Sequence, residues 1–316
     1  MRVAQLRRFG ALIIAAMVLA IPAWSGAAAE DGWPRTFVNV DGSTTEIPKK
    51  PERILSTSVA ITGPLLAIDA PVIASASAGN GTFFAQWAEV ATQHGVENVW
   101  PAGTVDLEAV YAVRPDLIVV AASGAGSATD QIDAFRQVAP TILVSDGNET
   151  WQELATQLGK ASGLEEQASA AIADFDAYVA DAREKITVPE GTANIISFHG
   201  PGRPNQIARA GGAHASLLTA LGFTMEDPDP AWHTQANNRG DFVWAPYENL
   251  VDLTSQTTFL LQVDDSKAAA FLDDPVLANV PSVRTGQVYG LGVNSFRIDP
   301  FSGREIVDGI VAKFGK

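Results

Sequence analysis

Cysteine is absent from the 316-residue chain. That excludes disulfides, thiolate metal sites, a cysteine nucleophile and the acylated N-terminal cysteine that tethers many exported proteins. Cations are scarce too: 21 Lys and Arg stand against 36 Asp and Glu, a formal net charge of −15. A nucleic acid, whose phosphates demand positive charge, is therefore excluded as the main partner. No serine has glycine both two positions before and two positions after it, which removes the nucleophile turn expected of an esterase on an α/β background. The four histidines, His94, His199, His214 and His233, are dispersed without a His-x-His pair. A zinc or manganese receptor would want closer ligand spacing, so it is the weaker alternative.

Long hydrophobic runs are missing as well, apart from Ala11 to Ile21. That run is about half the ~20 residues a membrane span requires. Arg2, Arg7 and Arg8 precede it, and Ala27-Ala28-Ala29 follows as an A-x-A cleavage site, so residues 1–29 read as a signal peptide removed after Ala29. Arg7-Arg8 also admits a twin-arginine route. Phe9 directly after the pair and Leu6 before it make general secretion the default. Removing a leader with three arginines and no acid takes the net charge from −15 to −18. An exported chain without an anchor is retained only behind an outer barrier, which places it in a periplasm.

The remaining residues exceed the size at which one core keeps growing, so two domains are expected. Strand-like runs rich in Ile, Val and Leu at Arg53 to Ser56, Val72 to Ser75, Asp116 to Val120 and Thr141 to Val144 alternate with helical stretches such as Thr104 to Val113. Strands without polar alternation belong to sheets covered on both faces, hence to mostly parallel α/β sheets. From Leu164 to Ile186 there is neither Gly nor Pro, and Leu164, Ala168, Ala171, Phe175, Val179, Ala182 and Ile186 recur at three- and four-residue steps. That spacing predicts one long helix. Strand-like Asn194 to Phe198, Phe259 to Val263 and Gln287 to Leu291 follow, with helical Ala213 to Leu221 and Glu305 to Phe314. The expected plan is a signal peptide (1–29), an N-terminal α/β lobe (30–160), a linking helix (161–188) and a C-terminal α/β lobe (189–316).

The segment Ser56-Thr57-Ser58-Val59, then Thr62-Gly63, then the run from Leu65 to Ser75, is similar to the periplasmic binding proteins that serve iron-siderophore and cobalamin transporters, and most to the ferric-enterobactin-binding branch. Pro115-Asp116-Leu117-Ile118, Glu248-Asn249-Leu250, Gln287-Val288-Tyr289 and Ser295-Phe296-Arg297 extend the resemblance over the chain. It implies two Rossmann-like lobes joined by a rigid helix, and a monomer without catalysis or a resident cofactor. Such a protein captures an intact ferric catecholate in a shallow cleft and delivers it to an inner-membrane ATP-driven permease. Another ferric siderophore, haem or cobalamin would suit the same fold.

A ferric triscatecholate is bulky, aromatic and trianionic, so its site needs converging cations and aromatic surface, and arginine supplies both charge and a flat face. Arg209, Arg239 and Arg297 lie in irregular stretches beside strands or helices, where clefts of open sheets form. The resemblance singles out Arg297 through its Ser-Phe-Arg-x-Asp setting, and Arg239 as the basic residue before Glu-Asn-Leu. The competing role for each is a solvated arginine, or one paired with a neighbouring acid such as Asp241 or Asp299. In the first lobe, Ala76 to Phe84 has no cation where relatives often have one; it offers hydroxyls and aromatic faces, Phe84 among them. Trp232, beside His233 in a proline-rich loop, is a further candidate wall or a packing residue. Glu108 and Glu248 each open a short helix before a strand, one per lobe. The resemblance implies docking glutamates there, while the helix dipole alone also favours an acid.

Overall fold

The computed structural model describes residues 32–147, 149–236 and 240–316; residues 1–29, expected to be a signal peptide, and Arg239 lie outside them. An antiparallel hairpin, β1 (Arg35–Val38) and β2 (Thr44–Ile47), precedes the first lobe. That lobe holds β3 (Ile54–Ser56), β4 (Val72–Ser77), β5 (Glu97–Pro101), β6 (Leu117–Ala121) and β7 (Thr141–Val144), interleaved with α1 (Val59–Ala67), α2 (Ala85–Gln93), α3 (Leu107–Val113), α4 (Ile132–Arg136) and α5 (Trp151–Ser162). The sheet order is β5-β4-β3-β6-β7, parallel throughout. Strands β6 and β7 are buried along their whole length, as expected of strands covered on both faces.

Gly163, in the left-handed conformation at φ 69°, closes α5, and the long helix α6 (Glu165–Lys185) follows. Its 21 residues span about 32 Å. Ala168, Phe175, Val179 and Ala182 are its buried stripe, four of the positions the periodicity selected. Acids in its first turn and Arg183 and Lys185 in its last complement the helix dipole.

The second lobe contains β8 (Thr192–Ser197), β9 (Asn205–Ala208), α7 (Ala213–Ala220), β10 (Thr224–Met225), β11 (Phe242–Ala245), a 3-10 turn (Tyr247–Asp252), β12 (Thr257–Leu260), α8 (Ala269–Leu272), α9 (Pro281–Thr285), β13 (Val288–Gly290) and α10 (Pro300–Phe314). Its order is β11-β9-β8-β12-β13, with β10 added to β8. Here the sheet is mixed rather than parallel: β9 runs antiparallel to β8 and β11 antiparallel to β9. The glycine-rich connection after β8 turns the chain straight back, with no crossover helix to keep it parallel.

The lobes share one apolar core. It runs from Ile54, Ile61 and Trp151 through Phe175 and Val179 of α6 to Ile195, Phe259 and Ile306, while separate clusters fill the outer face of each sheet. Trp151 meets Phe175 edge-on at 5.2 Å between ring centres. Helix α10 packs on α6 and also touches α1 and α2, so the last helix of the chain returns to the first lobe. Among the described residues no helix is long and apolar enough to cross a membrane.

Gly303 marks how close α10 comes to α6: a Cβ there would lie 2.7 Å from Cζ of Phe175, which is only 2% exposed and has no room to swing away. Gly303→Ala gains up to ~1 kcal/mol of helix propensity. The overpacking should cost about 1–3 kcal/mol and win. A lowered midpoint in denaturant unfolding is the expected result, and an unchanged or raised midpoint would show that the helix pair can part without penalty.

Candidate functional site

The first-lobe wall of the interlobe cleft is built from segments that follow strands: Ala60 and Pro64 after β3, Thr82 to Gln86 after β4, and Asp146, Gly147 and Glu149 after β7. These are the carboxyl ends of parallel strands, where α/β sheets open. The second lobe contributes Gly211 to His214 at the start of α7, Gln262 after β12, and Val293 to Arg297 after β13.

Arg297 sits where these walls meet and lines two neighbouring cavities, one of about 380 Å³ and one of about 240 Å³. Its Nη1 donates to the main-chain oxygen of Asp146 at 3.2 Å, across the cleft. Its guanidinium carbon lies 5.4 Å from the ring centre of Phe296. Phe296 in turn meets Phe84 of the first lobe edge-on at 6.5 Å, and Phe83 packs on the buried Trp87 at 5.2 Å. The smaller cavity is thus an aromatic notch made by both lobes, with a guanidinium at its side.

The Ser295–Arg297 turn is pinned from several directions. His214 Nε2 lies 2.8 Å from the oxygen of Ser295; a carbonyl only accepts, so Nε2 carries the proton. Ser295 Oγ accepts from the Gln262 amide at 2.8 Å, and Ser302 Oγ donates to the Arg297 oxygen at 2.6 Å. Asp299 caps α10 through the amides of Phe301 and Ser302, and its other oxygen accepts from Gln86 of the first lobe at 3.0 Å. Burial pushes the Asp299 carboxyl up, against the hydrogen bonds from Ser302, Gln86 and Phe301.

Burial also drives the His214 imidazole down to about 4, with Arg297 adding to the effect against the pull of the Ser295 carbonyl. The folded protein therefore keeps it neutral while the unfolded chain, near 6.5, takes up a proton. Stability is fully present above about 6.5 and declines as pH falls toward 4. His214→Gln should flatten this part of the stability-against-pH profile relative to the parent. Parallel profiles would place the acid sensitivity elsewhere.

Arg297 is the one cation among the described residues lining the larger cavity, beside Asp146, Glu149, Glu153, Asp241 and Asp299. Several of these acids are already engaged: Glu153 in the capping box of Thr150, Glu149 with Gln157 at 2.7 Å, and Asp146 with Ser58 at 3.3 Å. Burial raises the Glu149 carboxyl, with the Gln157 hydrogen bond opposing. Among the described residues no group of three His, Cys, Asp or Glu side chains is placed to hold a metal ion.

Of the sequence candidates, the structure brings Arg297 and Phe84 together. Arg209 follows β9, is half-buried 3.9 Å from the Asp227 carboxylate, and lines neither cavity. Trp232 is half-buried against the outer core of the second lobe, which suits a packing residue. Arg239 is outside the described residues; Gly240 and Asp241 next to it line the larger cavity. Glu108 and Glu248 are exposed in the first turns of α3 and of the 3-10 turn. His214 escaped the sequence reading, which looked for histidine pairs and not for a lone imidazole holding a turn. Asp146 had no motif to announce it.

A family profile described as periplasmic binding protein matches residues 85–294. The ferric enterobactin-binding periplasmic protein FepB of Escherichia coli O6:H1 is 36% identical over 99% of this chain and 100% of its own length. The crystal structure of holo-ViuP superposes with a TM-score of 0.88 at 53% identity, covering 90% of this chain and 96% of that one. The structure of Staphylococcus aureus SirA complexed with staphyloferrin B has a TM-score of 0.69 at 18% identity over 88% of this chain and 98% of its own, a likeness of fold. With two lobes sharing one core across a long helix, a cleft at the strand ends and a relative matching end to end, this chain belongs to the periplasmic binding protein family.

Proposed function

We propose that the mature protein binds an intact ferric catecholate siderophore of the enterobactin kind in the periplasm and passes it to an inner-membrane ABC permease, without turnover. The observation that carries this reading is Arg297, set between two cavities with Phe296 under its guanidinium and Phe84 facing from the other lobe. A flat cation beside aromatic edges suits an anionic complex with aromatic ligands. The full-length similarity to FepB supports the same ligand class. Iron enters only as part of the ligand; the chain is exported, its signal peptide is cleaved after Ala29, and it carries no lipid anchor. The protein acts as a monomer, and Glu108 and Glu248 meet the permease.

The carboxylates around the larger cavity favour a second reading, a ferric siderophore with less negative charge than a triscatecholate. One experiment separates the two. The mature chain retains six of the seven tryptophans, so its fluorescence is titrated with ferric enterobactin, a ferric hydroxamate, haem, cobalamin and Zn²⁺. Ferric enterobactin should quench at the lowest concentration and be recovered unhydrolysed. Preference for the hydroxamate would favour the second reading; tight Zn²⁺ binding or hydrolysed ligand would sink both.

A further inference from the structure

Among the described residues seven large apolar side chains are exposed, and two of them stand in matching places. Tyr111 is 58% exposed, three residues after Glu108 in α3; Val251 is 44% exposed, three residues after Glu248 in the 3-10 turn. Residues three apart are neighbours on the surface of an α-helix and eclipse one another on a 3-10 helix. Each lobe therefore presents a carboxylate with an apolar side chain on the same face of the same element. Single exposed hydrophobic residues need no explanation, but a repeated pair does.

The two elements are also equivalent in topology. In the first lobe the chain leaves the edge strand β5, passes through α3, and enters β6 on the far side of β3. In the second it leaves the edge strand β11, passes through the 3-10 turn, and enters β12 on the far side of β8. Because β11 is antiparallel to β9 and β9 to β8, β11 runs in the direction of β8. Both pairs thus start at the carboxyl edge of their sheet, the edge that also supplies Thr82, Asp146, Gln262 and Val293 to the cleft.

We infer that Tyr111 and Val251 are the apolar contacts of the docking surface for the permease, each seated in a recess beside the basic group that meets Glu108 or Glu248. This rests on the docking reading of those glutamates. The repetition, once per lobe, fits a partner that offers the same recess twice. The glutamates steer the encounter, whereas the buried apolar contacts hold the complex.

The test measures binding of the mature protein to its reconstituted permease–ATPase complex by surface plasmon resonance at several salt concentrations. Tyr111→Ser with Val251→Ser should speed dissociation on the order of tenfold or more. It should leave the salt dependence of association as in the parent. Tyr111→Phe with Val251→Ile should restore slow dissociation, and Val38→Ser with Val40→Ser, at exposed apolar sites on the hairpin, should change nothing. Siderophore titration and melting temperature, run on every variant, establish that the fold is kept. If the serine pair dissociates like the parent while Glu108→Lys with Glu248→Lys fails to associate, the inference is overturned and the docking reading stands. If both double variants behave like the parent, both are overturned.

Discussion

Arg297→Ala is expected to weaken ferric-siderophore binding by roughly 30- to several-thousand-fold, the ~2–5 kcal/mol typical of removing one partner of a desolvated charge pair. The size follows from where the side chain sits. Its guanidinium is the described cation at the junction of two cavities, and carboxylates crowd the larger one, so no other described residue lining them replaces the lost charge. The fold should survive. Ser302 and His214 hold the turn through the main-chain oxygens of Arg297 and Ser295, and alanine keeps both. Loss of the bond to the Asp146 oxygen should cost only about 1 kcal/mol of stability. Arg297→Lys provides the finer discrimination: it retains the charge but loses the planar face over Phe296, so intermediate affinity is expected. Binding equal to the parent in the alanine variant, measured by the same fluorescence titration, would remove Arg297 from the site.

The first lobe was legible where its strands are short, mostly apolar and separated by helices; Thr141 to Val144 was read with both ends where β7 has them, whereas the edge strand β5, with Glu97 and Asn98 exposed, went unread. The long helix was legible for the same kind of local reason, an uninterrupted stretch with one apolar stripe. In the second lobe the strands β9 and β11 went unread. Each is four residues long, and each pairs antiparallel with a neighbour chosen by tertiary proximity rather than by its own pattern. Helix α10 starts at Pro300 and not at Glu305, because Asp299 caps it and proline suits the first position. That signal was present in the sequence as Asp299-Pro300 and was outweighed by the apolar run that follows.

The cleft was legible only in part. Arg297 could be singled out because its surroundings match a motif, whereas its contact with Phe296 and the approach of Phe84 depend on folding two distant segments together. Arg209 shows the opposite case: an irregular stretch after a strand made it a candidate, but its side chain lies beside the Asp227 carboxylate and lines neither cavity. Burial decides the chemistry of His214 and Asp299, and no spacing rule reports burial of a single polar residue.

Charge reversal at the two exposed glutamates, Glu108→Lys with Glu248→Lys, is expected to abolish siderophore uptake in cells while leaving capture intact. Neither residue lines either of the two cleft cavities, so the titration with ferric siderophore should give parental affinity. Each lies in a first helical turn, where an acid is worth ~0.3–1 kcal/mol against the dipole and a lysine loses that and a little more. The melting temperature should therefore fall by no more than a few degrees. Docking predicts a different scale of effect, because a reversed charge facing a basic group repels the partner instead of merely failing to attract it, and it does so once per lobe. Single reversals should leave partial uptake, and the double variant none. High salt should weaken association of the parent far more than that of Glu108→Gln with Glu248→Gln, in which the charges are gone. Uptake at the parental rate by the doubly reversed protein, or loss of uptake that tracks loss of fold, would return both glutamates to the role of helix-end acids.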